Sequence, residues 1–203
     1  MASNAEPERR TPKGRMRREQ LLRAALVVVG REGYSGATQR AIAAEAAVPP
    51  ASTHYFFDSI DHLISEAAKL YLSERIAFYN EAIDQVTVDH LSVEQGCRRA
   101  AQLVCAVPVE SRRAQFEIYL NAGRHPDVAA AVAQAIIEIE RVIVRLLTAL
   151  GVEQPDRRAA SVLAITEGFA LRSVAGLPTS VEEVGDALIA VVAIGDEQID
   201  TPD

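Results

Sequence analysis

The sequence predicts an all-α fold, and three observations predict it. Ala, Leu, Val, Glu and Arg dominate a chain of 203 residues with only nine prolines, eleven glycines and no tryptophan, a composition that favours helix. Apolar residues recur at spacings of three and four along most of the length, and no strand-like alternation persists. Capping and breaking residues, among them Thr38, Pro49, Pro50, Pro108, Gly123 and Gly151, divide the chain into about nine helices. At 49% hydrophobic content it can bury a substantial core, as one domain or two small ones.

Taken in order, residues 1–14 are polar and contain Pro7, Pro12 and Gly14, so a flexible arm is expected there. Arg9, Arg10, Lys13, Arg15, Arg17 and Arg18 follow one another without an acid. Such a run is either a solvated tail or a phosphate and minor-groove contact, and its closeness to the motif described next favours the second. A first helix is expected over Met16–Glu32, with Leu22, Ala25, Leu26 and Val29 inward. Gly30, Gly33 and Gly36 then loosen the chain. Their G-x-x-G-x-x-G spacing follows a helix where a nucleotide fold has a strand, so a phosphate cradle is rejected.

Residues 38–57 read as two short helices meeting at a turn. Thr38 is a good N-cap for the first, which shows Ile42 and Ala43 on one face and stops near Ala47. Pro49 and Pro50 cannot continue that helix but suit the start of another, running through Phe56 with Val48 and Phe56 against Ile42. This is a helix-turn-helix, whose second helix can enter a major groove.

Asp58 and Ser59 cap a fourth helix, with Leu63, Ile64, Ala67, Leu70, Tyr71 and Phe78 on its way to about Ile83. A fifth is expected over 91–106 and a sixth over 110–122, with Phe116, Tyr119 and Leu120 inward; a seventh runs from Pro126 to Gly151. The last two, 156–175 and 180–194, are apolar over wide arcs and so need a partner beyond their own core. Val162, Phe169, Val174, Val181, Val184, Leu188 and Val191 are expected to meet a twofold copy, making a four-helix homodimer interface.

Charge sharpens the functional reading. The net −7 hides a split, since residues 1–57 carry nine Lys/Arg and five Asp/Glu (+4) and residues 58–203 carry twelve and twenty-three (−11). The basic end holds the helix-turn-helix. Cys97 and Cys105 are expected as reduced thiols of a cytoplasmic protein, since eight helical residues separate them by about 12 Å. The apolar runs Ala24–Val29 and Ala187–Ile194 are too short for a bilayer, and no secretory leader is evident. His54, His62, His90 and His125 lack metal-ligand spacing, and neither a Cys-x-x-Cys nor a nucleophile motif occurs, so neither enzyme nor cofactor is expected.

At the motif, Pro50, Ala51, Ser52 and Tyr55 should face outward if Val48 and Phe56 face in. Pro49, Pro50 and Ala51 offer an apolar surface to thymine methyls, and Ser52 a less selective hydrogen bond. Thr38 and Gln39 can present polar groups and helix N–H groups to the backbone, and Arg15, Arg17 and Arg18 to phosphates.

The combination of Thr38, Arg40, Ile42, Ala43, Val48 and the aromatic run Tyr55, Phe56, Phe57, soon after Gly33, Tyr34 and Gly36, resembles the DNA-binding domain of the tetracycline-repressor (TetR) family. The match covers roughly the first seventy residues. It implies a DNA-binding transcription regulator, a repressor released from a palindromic operator in double-stranded DNA by a small-molecule effector. Arg40 stands where the family often places a base reader, and can bond guanine O6 and N7 together. His54 stands where a phosphate-binding Tyr is usual, with Tyr55 beside it. In the family the last two helices dimerise. Three departures are visible: Ala47 replaces the turn glycine, Ile60 a phosphate-binding Lys, and the small residues at the head of the recognition helix weaken direct readout.

The expected organisation is an arm (1–14), a three-helix head (15–58), a helical ligand-binding and dimerisation domain (59–195) and a polar tail (196–203). Polar or aromatic groups on apolar faces mark effector candidates: Tyr71, Phe78, Cys97, Cys105, Phe116, Tyr119, Glu167, Phe169 and Arg172. The alternative reading is a helical protein-interaction module whose DNA-binding head has degenerated.

Overall fold

The computed structural model describes residues 11–88 and 90–193, and among them it forms nine α-helices and no strand. Helix α1 (Pro12–Glu32) begins earlier than expected because Thr11 is extended and its Oγ1 accepts from the Gly14 N–H at 3.0 Å, with Pro12 in the first turn. Residues 11–14, expected in the arm, therefore belong to the helix and its cap. Gly33 ends it in the left-handed region (φ 76), its N–H bonding Val29 O.

Helix α2 (Gln39–Glu45) starts at Thr38, whose Oγ1 accepts from Ala41 N at 3.1 Å, and it buries Ile42 and Ala43. The turn after it is a Schellman motif: Val48 N–H bonds Ala43 O at 3.0 Å and Ala47 N–H bonds Ala44 O at 3.1 Å. Ala47 holds φ 53, so this alanine adopts the left-handed geometry that glycine ordinarily supplies. Helix α3 (Ala51–Phe56) follows the two prolines, and Phe57 leaves it extended.

Helix α4 (Ile60–Val88) has the Ser59 hydroxyl accepting from His62 N at 3.0 Å. Ser92 and Gln95 form a capping box at the start of α5 (Val93–Cys105). Helices α6 (Val109–Ala122), α7 (Pro126–Ala149), α8 (Pro155–Val174) and α9 (Val181–Ala193) complete the order. Helices α7 and α8 end in the same Schellman pattern as α2, there on Gly151 (φ 72) and Gly176 (φ 81).

Contacts divide the chain into two units, Met1–Ile76 with Pro108–Ile137, and Ala77–Val107 with the chain from Glu138 onward. The division is not the one expected at residue 58, because α6 and the start of α7 group with the head. Gly30 explains this at the atomic level: a Cβ there would lie 2.8 Å from Glu110 O, so the missing side chain lets α1 pack directly on the start of α6.

The first unit's core gathers Leu21, Val28, Ile42, Phe57, Leu63, Ile64, Ile118 and Val128. Burying each large side chain contributes about 1.5–3 kcal/mol relative to exposing it. Ion pairs tie α1 to α4 in this unit, Arg18 to Glu66 at 2.7 Å and Arg23 to Glu74 at 2.7 Å. On α6 the inward face is Arg112, Ala114, Gln115, Ile118 and Ala122, whereas Leu120, expected inward, is 74% exposed. It sits two residues from Ile118 and Ala122, on the opposite side of the helix.

The second unit is centred on Cys97, Ala101, Leu147, Val162, Val184, Leu188 and Val192. Helix α5 packs on α9, where Arg98 crosses Gly185 to pair with Asp186 at 2.8 Å. On α7, Arg145 bonds Asn80 and pairs with Asp84 on the C-terminal part of α4.

Candidate nucleic-acid interface

The fold turns one part of the sequence-derived site outward and keeps another inside. Arg40, on the first turn of α2, is exposed, and its side chain makes no hydrogen bond or ion pair among the described residues. His54 is likewise exposed on α3, and Pro49, Pro50 and Ala51 form a contiguous exposed run just before and at the start of that helix. A guanidinium, an imidazole and an apolar ridge are therefore presented by the two short helices, the mixture needed to reach base edges, phosphates and thymine methyls.

Thr38 and Gln39 are partly committed. The Thr38 hydroxyl caps α2, and Gln39 Oε1 accepts a long hydrogen bond of 3.5 Å from the Thr53 hydroxyl. The Thr53 hydroxyl also donates to Pro50 O at 2.8 Å, which fixes the first turn of α3.

Ser52 corrects the sequence reading. It is only 9% exposed, so it does not stand outward beside Ala51 as expected. The reason is helical spacing: Ser52 precedes Phe56 by four residues and so shares the inward face of Phe56. Thr53, three residues before Phe56, is buried with it. Tyr55 is half-buried, packing its ring edge-on to Phe56 at 4.8 Å.

The basic residues of α1 also separate. Arg15 is exposed and Arg17 half-exposed. Arg18 instead pairs with Glu66 and lies 5.2 Å over the Phe57 ring, so its guanidinium serves the scaffold. Glu66 also meets Lys69 Nζ at 2.8 Å; Lys69 first and Arg18 next hold its carboxyl below the usual range, against the opposing effect of burial. Two acids of the head are similarly occupied: Arg31 pairs with Glu32 and with Glu45, both at 2.9 Å. Ile60 packs against the first core, so it serves folding where a lysine would serve phosphate. Arg9 and Arg10 lie outside the described residues.

The effector candidates fall in both units. In the first, Tyr71 bonds Ser111 O and Gln115 Oε1 at 3.4 and 3.5 Å, and Arg75 donates to the Tyr71 hydroxyl at 3.1 Å. Phe116 and Tyr119 pack edge-on at 6.2 Å. In the second, Arg172 lies 5.2 Å over the Phe169 ring, and Glu167 is partly buried. Phe78 is exposed. Cys97 is a core residue, and burial pushes its thiol up; Cys105 packs beside the same core, and both are free cysteines.

The expected dimer residues require a correction. Val162, Val184 and Leu188 are 6%, 0% and 2% exposed because α8 and α9 turn them into the second unit's own core. Phe169, Val174, Val181 and Val191 are half-buried. The outward row of α8 is instead Ala160, Ala164, Gly168 and Leu171, at spacings of three and four. Sequence reading also passes over Glu117 and His125, which lie far from the motif in sequence but meet Tyr34, just ahead of Thr38.

No helix among the described residues is long and apolar enough to cross a membrane. Residues 21–67 match the family of bacterial regulatory proteins described as the tetR family, and residues 91–194 match the tetracyclin repressor-like C-terminal domain. The nicotine-responsive transcriptional repressor HdnoR of Paenarthrobacter nicotinovorans is 30% identical over 77% of this chain and 82% of its own. The transcriptional regulator BetI of Brucella canis is 25% identical over 81% of this chain and 95% of its own. A transcriptional regulator of Rhodococcus sp. Rha1, 19% identical, superposes with a TM-score of 0.71 over 86% of this chain and 93% of its own, a likeness of fold.

Proposed function

The chain belongs to the tetR family of bacterial transcription regulators, and from that premise we propose that it is a cytoplasmic repressor that binds a palindromic operator as a homodimer and leaves it when a small molecule binds. The observation that carries this reading is the outward face of the helix-turn-helix, where Arg40, His54 and the ridge Pro49, Pro50, Ala51 stand clear of the core. Arg40 reads a guanine; His54 and Tyr55 hold phosphate. The ridge packs on thymine methyls, and Thr38 and Gln39 approach the backbone at the start of α2. Arg15, Arg17 and the basic residues before them add sequence-independent attraction to phosphates.

Ala47 bears on the alternative of a degenerate head. It forms the turn with the hydrogen bonds of a Schellman motif, so replacement of the glycine has not cost the motif its shape. The regulator reading is favoured on that ground.

Dimerisation supplies the second half of recognition. Two heads carried on a twofold axis meet half-sites about 34–36 Å apart, one turn of DNA. The row Ala160, Ala164, Gly168, Leu171 on α8 permits close helix approach, and the half-buried Phe169, Val174, Val181 and Val191 remain candidates for the same interface. The effector is held by the helical region; the candidate contacts are Tyr71, Phe116 and Tyr119 within the first unit or, separately, Glu167, Phe169 and Arg172 within the second. Its binding changes the spacing of the two heads, and the free energy of that change is the coupling between ligand and DNA.

Selection of bound fragments from genomic DNA tests the reading. Recovered fragments are expected to share an inverted repeat with half-sites one helical turn apart. Failure to enrich any shared sequence at low salt argues for the interaction module instead.

A further inference from the structure

The loop between α1 and α2 is fastened to parts of the chain far from it in sequence, and Tyr34 is the fastening point. Its backbone N–H donates to Glu117 Oε2 on α6 at 3.0 Å. Its hydroxyl donates to Asp61 Oδ1, in the first turn of α4, at 3.0 Å. Its ring stacks on His125, in the turn between α6 and α7, with centroids 4.6 Å apart and planes 24° from parallel. The second Asp61 oxygen lies 3.3 Å from His125 Nδ1, which closes a ring of contacts through Tyr34, Asp61 and His125.

The glycine run that the sequence offers as a phosphate cradle has its explanation here. Gly30 admits the start of α6 through its missing Cβ, and a Cβ on Gly33 would stand 3.3 Å from Glu117 Oε2, so Gly33 keeps the approach to Glu117 open. Burial first and Asp61 second raise the Tyr34 phenol well above its usual range, which keeps it a hydrogen-bond donor.

What Tyr34 controls lies immediately downstream. Its carbonyl accepts from Ala37 N at 3.2 Å, closing a turn whose last residue precedes the Thr38 cap of α2. Ala37 is buried, so the turn cannot slide without disturbing the core under the helix-turn-helix. A shift of α6 or of the α6–α7 turn therefore has a path to the start of α2 through Tyr34. The contact with Glu117 is a hydrogen bond to a carboxylate, the stronger kind, and it weakens steeply with displacement.

We propose that Glu117 and His125 are positioning residues for DNA binding, acting through Tyr34 to set the loop that enters the helix-turn-helix. The proposal rests on the regulator reading and assigns the α1–α2 loop a part in it. Asp61 ties the same loop to α4, because it lies in the first turn of α4 and accepts from the Tyr34 hydroxyl.

The test uses the full chain and, as probe, a DNA fragment recovered by the genomic selection. Affinity is measured per folded protein, well below the unfolding temperature, for wild type, Glu117→Ala, Glu117→Gln, His125→Ala, Tyr34→Phe and the double variant Glu117→Ala with Tyr34→Phe. Glu117→Ala is expected to weaken binding about tenfold, the scale of one hydrogen bond to a charged acceptor. Glu117→Gln, which keeps an acceptor oxygen, should stay within about twofold of wild type. His125→Ala, which removes the ring stacked on Tyr34, should weaken binding by about threefold or more. The double variant should weaken binding by less than the product of the two single effects, because both act through one residue. Amide exchange over 38–45 should quicken in Glu117→Ala.

Unchanged affinity in Glu117→Ala overturns the proposal, whatever happens to its melting temperature, because a purely structural bond would leave DNA binding by the folded protein intact. If Glu117→Ala does not fold, His125→Ala decides alone, and a change below about twofold overturns the proposal. A wild type that enriches no fragment fails earlier: it removes the regulator reading and this proposal with it.

Discussion

Replacing Ala47 by glycine should stabilise the protein, although the residue is exposed and the substitution adds no contact. Ala47 holds φ 53 at the end of α2, in the same Schellman arrangement that Gly151 and Gly176 complete at the ends of α7 and α8. An L-residue in that region costs about 1–2 kcal/mol, which glycine avoids. Glycine also gains about 0.4–1 kcal/mol of freedom in the unfolded chain, which works the other way. The difference leaves a net gain of about 0.5–1 kcal/mol, or about 1–4 °C in melting temperature for a chain of this size. Urea unfolding of wild type, Ala47→Gly and Ala44→Gly measures it. Ala44 is exposed on α2 three residues earlier, with helical backbone, so glycine there should destabilise by about 1 kcal/mol. One substitution must therefore have opposite signs at two neighbouring positions. If Ala47→Gly destabilises as Ala44→Gly does, the left-handed turn is wrong.

Other perturbations bear on other parts of the molecule. Gly30→Ala should push α6 from α1, because the new Cβ would lie 2.8 Å from the Glu110 carbonyl oxygen, and overpacking of this kind costs about 1–3 kcal/mol by chemical unfolding. Glu66 has its folded carboxyl held low by Lys69 and Arg18, so its stabilisation is fully present above the unfolded value of 4.5 and disappears as pH falls through the lower folded value. Arg18→Ala should flatten that acid dependence in melting curves between pH 3 and 6, and a stability profile unchanged by the substitution would refute the role assigned to Arg18. Removing residues 1–10, which takes Arg9 and Arg10 but leaves the Thr11 cap, should flatten the slope of log K against log salt by about 0.9 for each phosphate the arm neutralises. Binding isotherms at four salt concentrations decide this, and an unchanged slope rules out the arm as a phosphate contact.

How far the sequence reaches depends on whether the deciding interaction is local. Thr38 and the two prolines act on their own neighbours, so the helix-turn-helix is legible to within a residue or two. Thr11 is a cap by the same rule, but Pro12 and Gly14 read more readily as loop than as the first turn of a helix. Ser52 is misread by an error of register, since it falls four residues before Phe56.

Three of the expected dimer residues are misplaced for a different reason. A wide apolar arc on α8 or α9 tells that much is buried, without telling which part of the arc faces the chain's own core. Val162, Val184 and Leu188 face it, while the small residues Ala160, Ala164 and Gly168 do not. Glu117 and His125 are beyond pattern reading altogether. Each meets Tyr34 across more than eighty residues of chain, and nothing in the local sequence marks such a pairing.

The central claim is that the outward face of α2 and α3 reads bases, with Arg40 as the chief reader. A recovered operator in which each base pair is replaced in turn, titrated with wild type and with Arg40→Ala, tests it most directly. Wild type should discriminate at a guanine placed symmetrically in both half-sites, and Arg40→Ala should bind about 1–3 kcal/mol more weakly there and cease to distinguish bases at that position alone. A uniform weakening across all sequences, or discrimination that survives the substitution, would contradict it.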